Sequence, residues 1–151
     1  MQRAPSRPQD PVVVRPLESL AIPILRADVV WELILGAGLV LTAVESVMRP
    51  LGSAALQPGF IPVIVGVACL ALGGFLVYAS RQPPAEAAAV CRPLAVANLG
   101  AAAVAVALVI AFSGAGHLYI AALAIASTIC AIFAAAQWTV SQPARRPDAA
   151  H

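Results

Sequence analysis

The sequence predicts an all-α integral membrane protein with four transmembrane helices and both termini in the cytoplasm. Three observations lead to this fold class: the composition, the number of long apolar segments, and the placement of the arginines. Of the 151 residues, 61% are hydrophobic and 11% are charged, a balance outside the range of water-soluble domains. The nine basic residues, all arginine, form no single basic face, which excludes a nucleic-acid-binding domain.

Four apolar segments are long enough to cross a hydrocarbon core of about 30 Å, which takes about 20 helical residues. The predicted spans are residues 29–47, 60–79, 94–112 and 118–136. Together they form a transmembrane domain over residues 29–138. Residues 1–28 are rich in Pro and Arg and predict a disordered cytoplasmic tail, with any order confined to residues 20–25. Residues 139–151 predict a cytoplasmic C-terminal tail.

The first span has a competing interpretation as a cleaved signal peptide. Small residues at 53–55 resemble a cleavage site, and Glu32 and Glu45 make this segment the least apolar of the four. However, 28 residues precede the apolar run, and Glu45 and Arg49 stand between it and the small residues. A secretory signal has neither feature, so we expect a retained helix.

The arginines predict the orientation in the membrane. Positively charged residues concentrate in cytoplasmic loops and tails. Arg49 alone falls on the predicted outer side, whereas the other eight precede the first span, join the second to the third, or follow the fourth: Arg3, Arg7, Arg15, Arg26, Arg81, Arg92, Arg145 and Arg146. Trp31 and Trp138 are expected at the cytoplasmic headgroup level, where an indole ring is favoured.

The connection before the second span contains a motif that starts a helix sharply. Pro58 and Gly59 predict a turn. Pro62 falls in the first helical turn, where a missing N–H costs no intrahelical hydrogen bond. Phe60 is then expected at the outer interface.

This motif and its surroundings resemble a known family, the small membrane subunit (TctB) of tripartite tricarboxylate transporters. That family has four membrane helices, with a Pro-Gly-Phe-Phe-Pro-like motif opening the second. Ile61 stands here in place of the motif's second aromatic residue. The matching segments are Leu51-Gly52-Ser53, Pro58-Gly59-Phe60-Ile61-Pro62 and Leu72-Gly73-Gly74-Phe75.

The resemblance implies a role inside a three-part uptake system of the bacterial inner membrane. Its partners would be a large multi-helix permease subunit, which carries the substrate site, and, indirectly, a periplasmic solute-binding protein. The system would take up carboxylates at the expense of a cation gradient. The small subunit would scaffold the permease without a cofactor.

Small residues recur at four-residue spacing on two helices and predict close helix packing. They are Ala97, Ala101 and Ala105 on the third helix, and Ala122, Ala126, Cys130 and Ala134 on the fourth. Such stripes serve packing within one bundle or docking of a partner subunit, and the sequence leaves both open.

No catalytic or metal-binding constellation is predicted. Glu32 and Glu45 lie 13 residues apart on one helix, roughly 20 Å along its axis, too far to share a proton or a metal. We expect Glu32 at the headgroup level and Glu45 in an ion pair with Arg49; a role in ion relay is the alternative. His117 is interpreted as a solvated loop residue.

The three cysteines, Cys69, Cys91 and Cys130, are interpreted as small apolar residues because they are widely separated in the sequence. Two further functions stay open beside the transporter subunit. One is an unrelated four-helix accessory or assembly protein. The other, an intramembrane enzyme or autonomous transporter, is disfavoured because three of the spans lack charged residues.

Overall fold

The computed structural model describes residues 17–41, 60–111 and 117–142, and within them the only regular structure is helical. A short 3-10 helix, Glu18–Leu20, leads directly into the first α-helix. The α-helices are α1 (Ala21–Leu41), α2 (Phe60–Ala79), α3 (Pro84–Ala111) and α4 (His117–Val140).

Helix α1 begins earlier than predicted, at Ala21 and not at residue 29. Pro23 does not prevent this, because it lies in the first turn, where backbone N–H groups have no intrahelical acceptor. The start of α1 is also packed, since Ala21 and Leu25 are fully buried. Residues 21–28 therefore belong to the helix and not to a disordered tail. Residues 42–47 of the predicted span lie outside the described residues.

Helix α3 also begins earlier than predicted, at Pro84 and not at residue 94. Pro84 occupies the first helical position, which favours proline, and the following alanines are strong helix formers. Pro93 lies inside the helix, where it removes one backbone hydrogen bond. The prolines of the connecting segment therefore leave only a short turn around residues 80–83 between α2 and α3.

The other two helices start where the sequence predicts, or within one residue of it. Helix α2 covers residues 60–79. Helix α4 starts at His117 and continues past residue 136 to Val140. Its last turns remain helical because Gln137 and Val140 are buried against other helices.

Three of the helices are long and apolar enough to cross a membrane. These segments are Pro62–Ala79 in α2, Pro84–Ile110 in α3 and Ile120–Val140 in α4. By the length and composition of these helices, the chain is a multi-pass membrane protein. Helix α1 is the fourth long helix, and its described part carries three charged residues, Arg26, Asp28 and Glu32.

The first pair of helices, α1 and α2, packs antiparallel with its backbones in close contact at two glycines. A Cβ atom on Gly36 would lie 2.8 Å from the Gly66 carbonyl oxygen, and one on Gly66 would lie 2.7 Å from the Gly36 carbonyl oxygen. Further along, Leu33 lies against Gly73. Only glycine fits at the crossing point, because any side chain there would meet the backbone of the other helix.

The second pair, α3 and α4, is also antiparallel and is joined by a hydrogen bond between the helices. Ser127 Oγ donates to the Ala102 carbonyl oxygen at 3.1 Å. Nearer the other end of the pair, the Arg92 guanidinium lies 5.6 Å from the centroid of the Trp138 ring, within the range of a cation–π contact. Helix α1 packs against both helices of this second pair.

The buried apolar core lies at the end of the bundle where α1 begins, α2 ends, α3 begins and α4 ends. Its members are Ala21, Leu25, Leu76, Ala79, Ala87, Ala88, Cys91, Leu94 and Val140. Many large apolar side chains elsewhere point outwards; Ile110, for example, is 72% exposed. Apolar residues on the outside suit a protein whose solvent is lipid hydrocarbon.

Candidate functional site

A cluster of three polar side chains joins the two helix pairs next to the apolar core. Gln137 Nε2 donates to Asp28 Oδ2 at 2.6 Å. Asn98 Nδ2 donates to the same oxygen at 3.3 Å and to Gln137 Oε1 at 3.0 Å. Asp28 and Gln137 are fully buried, and Asn98 is 5% exposed. The cluster therefore ties α1 to α3 and α4 through side chains withdrawn from solvent.

Helical spacing places these three side chains at one level. Asn98 lies on the buried stripe of α3 with Leu94, Ala95 and Ala102, at the three- and four-residue spacing of one helix face. Gln137 continues the buried stripe of α4 formed by Cys130 and Ala134. Asp28 lies one turn after Leu25 on the inward face of α1. Packing of the apolar neighbours thus fixes where the polar atoms meet.

Glu32 extends the polar cluster by one turn of α1. Its side chain is only 5% exposed and interacts with the Cys69 thiol of α2 and with Asp28. Cys130 of α4 faces the same turn, since it interacts with Trp31, Glu32 and Asp28. Two carboxyl groups therefore lie inside the bundle four residues apart, a separation at which helical side chains are neighbours.

Three buried polar atoms in this turn of α1 make no hydrogen bond: Asp28 Oδ1, Trp31 Nε1 and Glu32 Oε2. The Trp31 indole approaches the Cys130 thiol without satisfying its N–H. Buried polar atoms without partners are rare, and each calls for an explanation such as an ion or an ordered water.

No positive side chain compensates the two carboxyl groups within residues 17–41, 60–111 and 117–142. The groups that act on them are the Asn98 and Gln137 amides, the Cys69 thiol, and each other. Arg26 and Arg81 are exposed, and Arg92 lies over the Trp138 ring. The site is therefore acidic and shielded from solvent.

The small residues predicted to form packing stripes divide into an inner and an outer set. Ala105, Cys130 and Ala134 are buried, and Ala126 is half-buried. Ala97, Ala101 and Ala122 are exposed. The inner set packs within the bundle, and only the outer set faces away from it.

The motif before the second helix is described only in part. Pro58 and Gly59 lie outside the described residues. Helix α2 begins at Phe60, and Pro62 is buried in its first turn. The helix thus starts within the motif.

Glu32, which the sequence predicts at the headgroup level, is buried inside the helix bundle and does not lie on its outer surface. It is buried because it lies one turn from Asp28, on the face of α1 that turns towards the other helices. Glu45 and its expected ion pair lie outside the described residues. His117 is exposed as the first residue of α4. In the described part of the chain, no three His, Cys, Asp or Glu residues are grouped to hold a metal.

The sequence interpretation did not identify Asp28, Asn98 or Gln137 as a group. One signal was present: Asn98 and Gln137 are the only carboxamide side chains in α3 and α4. A second was the four-residue spacing of Asp28 and Glu32. Polar residues inside apolar helices are expected to face the bundle interior and each other.

No family model, curated protein or solved structure matches the chain. The possible chemical roles of the cluster therefore follow from its own residues and their geometry. Buried amides and carboxyls can fasten helices together, and unpartnered carboxyl oxygens can bind a cation. An anion would find no positive group among the residues described around the cluster.

Proposed function

We propose that the chain is the small membrane subunit of a tripartite carboxylate uptake transporter. In this proposal it crosses the bacterial inner membrane four times with both termini in the cytoplasm. It scaffolds a large permease subunit, which works with a periplasmic solute-binding protein. The observation that carries the proposal is the motif at residues 58–62, together with the start of α2 at Phe60 inside it.

The polar cluster supports a scaffolding role. Asp28 Oδ2 is already engaged by two amide donors, and the acidic character of the cluster opposes the binding of a carboxylate. Substrate recognition is therefore assigned to the permease. The cluster fixes the two helix pairs relative to each other, which a scaffold requires.

The outer faces of the bundle support a membrane partner. Ala97 and Ala101 are exposed, one turn apart on α3, and Gly100 between them has open space around its Cα. Small exposed residues allow the backbone of another helix to approach closely. Large apolar residues cover much of the remaining surface and suit contact with lipid.

Uptake of a labelled carboxylate tests the proposal directly. Cells that contain the permease and the binding protein should lose most of their uptake when this chain is deleted, because the permease lacks its scaffold. The purified chain alone should bind no carboxylate. Normal uptake without the chain, or carboxylate binding by the chain alone, would refute the proposal.

Co-purification of the permease tests the docking face. Ala101→Leu should weaken recovery of the permease, because the larger side chain holds the partner backbone away. Ala103→Leu is the matched control, since Ala103 is also exposed on α3 but lies on the other side of the buried stripe. Equal recovery with both variants would exclude this face as the contact.

Single-cysteine labelling in intact cells tests the proposed orientation. After replacement of Cys69, Cys91 and Cys130, a cysteine is introduced at Glu86 or at His117, which are both exposed. A membrane-impermeant reagent should label position 117 and spare position 86. Labelling at position 86 with none at position 117 would contradict the proposed orientation and indicate the opposite one.

An unrelated four-helix accessory or assembly protein is the alternative function. The same buried cluster and exposed alanines would serve it. The neighbouring genes separate the two functions: a large permease and a secreted binding protein encoded beside this chain favour the transporter subunit. Neighbours of another kind favour the accessory protein.

A further inference from the structure

We propose that Asp28 and Glu32 together bind one small cation, a proton or an alkali-metal ion, between their unpartnered oxygens. Asp28 Oδ1 and Glu32 Oε2 are buried and make no hydrogen bond. The two residues lie on adjacent turns of α1, where side chains four residues apart are neighbours. The site goes beyond the scaffolding function and can be measured on this chain alone.

The need for a cation follows from the surroundings of the two carboxyl groups. Two buried negative charges at this separation repel each other and are poorly solvated. The described groups that face them carry no positive charge: Asn98, Gln137, Cys69, Cys91, Cys130 and Trp31. A single bound cation would remove the repulsion and give each free oxygen a partner.

The cluster leaves one oxygen of Asp28 available for this purpose. The amides of Asn98 and Gln137 both donate to Oδ2 and thereby orient the carboxyl group. Oδ1 accepts a hydrogen bond from neither donor, and Glu32 interacts with Asp28 from the next turn. Oxygen atoms held in this way suit protons and hard cations such as Na⁺.

The test uses the full-length chain, purified and reconstituted in lipid, at constant pH and ionic strength. In one arm, sodium chloride replaces choline chloride, and the midpoint of thermal unfolding is followed. If the site binds Na⁺, the midpoint should rise with the logarithm of the sodium concentration. In the other arm, infrared spectroscopy in choline chloride detects the carbonyl stretch of a protonated carboxyl group, which should be present if a proton is bound.

Variants assign either signal to the site. Glu32→Gln and Asp28→Asn should each abolish the signal that the wild-type chain shows. Glu86→Gln makes the same chemical change at an exposed position in the first turn of α3. This variant should show the same signal as the wild-type chain. Circular dichroism checks that each variant is helical. If Asp28→Asn does not fold, the comparison of the wild-type chain with Glu32→Gln tests whether the signal comes from this site.

Two results would overturn the proposal. In the first, the wild-type chain shows neither sodium-dependent stabilisation nor a protonated carboxyl group. In the second, the observed signal persists in Glu32→Gln. A sodium response alone identifies an alkali-metal site, and a protonated carboxyl group alone identifies a proton site.

Discussion

Gln137→Leu is expected to destabilise the bundle by about 1–3 kcal/mol. Gln137 donates one hydrogen bond to Asp28 and accepts another from Asn98, and leucine can make neither. Hydrogen bonds between membrane helices contribute about 0.6 kcal/mol on average and at most about 1.7 kcal/mol. Here two are lost, and the buried groups left behind find no water. The free energy of unfolding, measured by reversible denaturation in mixed micelles, gives the effect.

Gln82→Leu is the matched control for this substitution. Gln82 lies in the turn after α2, and its side chain makes only a local contact of 3.5 Å with the Tyr78 carbonyl oxygen. We expect a change within about 0.5 kcal/mol, as for most surface substitutions. The triple variant Asp28→Leu, Asn98→Leu, Gln137→Leu should recover part of the lost stability, because it leaves no member of the cluster buried without a partner. Equal effects of Gln137→Leu and Gln82→Leu would contradict the assigned role of the cluster.

Gly66→Ala is expected to have an equally large effect, by separating α1 from α2. The new Cβ would lie 2.7 Å from the Gly36 carbonyl oxygen and 3.0 Å from the Val40 backbone nitrogen. Backbone atoms cannot rotate away as a side chain can, so the helices must shift. Overpacking of this kind costs about 1–3 kcal/mol, and we expect the upper part of that range. The same denaturation measurement applies.

Gly74→Ala on the same helix is the control, and it should have the opposite sign. A Cβ at Gly74 meets no atom within 4 Å. Alanine is the better helix former by roughly 0.5–1 kcal/mol, so this variant should be slightly more stable than the wild type. If Gly66→Ala were as stable as Gly74→Ala, the close crossing of α1 and α2 would be wrong.

The sequence predicts the bounds of a helix well where one property, an uninterrupted apolar run, determines them. Helix α2 has an uninterrupted apolar run with a helix-starting motif in front, and its predicted and observed bounds agree. The early starts of α1 and α3 are not predicted from the sequence, because charged residues and prolines commonly mark the ends of apolar helices. In the folded chain Asp28 Oδ2 accepts hydrogen bonds from α3 and α4, and Pro84 falls at a position that tolerates proline. Neither fact is visible from local sequence.

The candidate site was harder to predict because it depends on contacts distant in sequence. Asp28 and Gln137 are 109 residues apart. Helical spacing shows that Asp28 and Glu32 share a face, but it does not show which way that face turns. The glycine contact was missed for the same reason, since Gly36 and Gly66 have no regular spacing within one helix. The predicted stripes of α3 and α4 follow from spacing alone, and only part of each is buried.

The polar cluster has a consequence for how such a chain is made. In the four-span topology that we propose, α1 enters the membrane first, and an acidic side chain in an inserting helix costs up to about 2.5–3.5 kcal/mol. The amides that engage Asp28 belong to α3 and α4, which leave the ribosome later. In that topology the first hairpin would wait beside the insertion machinery, or near the membrane surface, until the second arrives. A chain truncated before Gln137 should accordingly be recognised by quality-control proteases as an unfinished product.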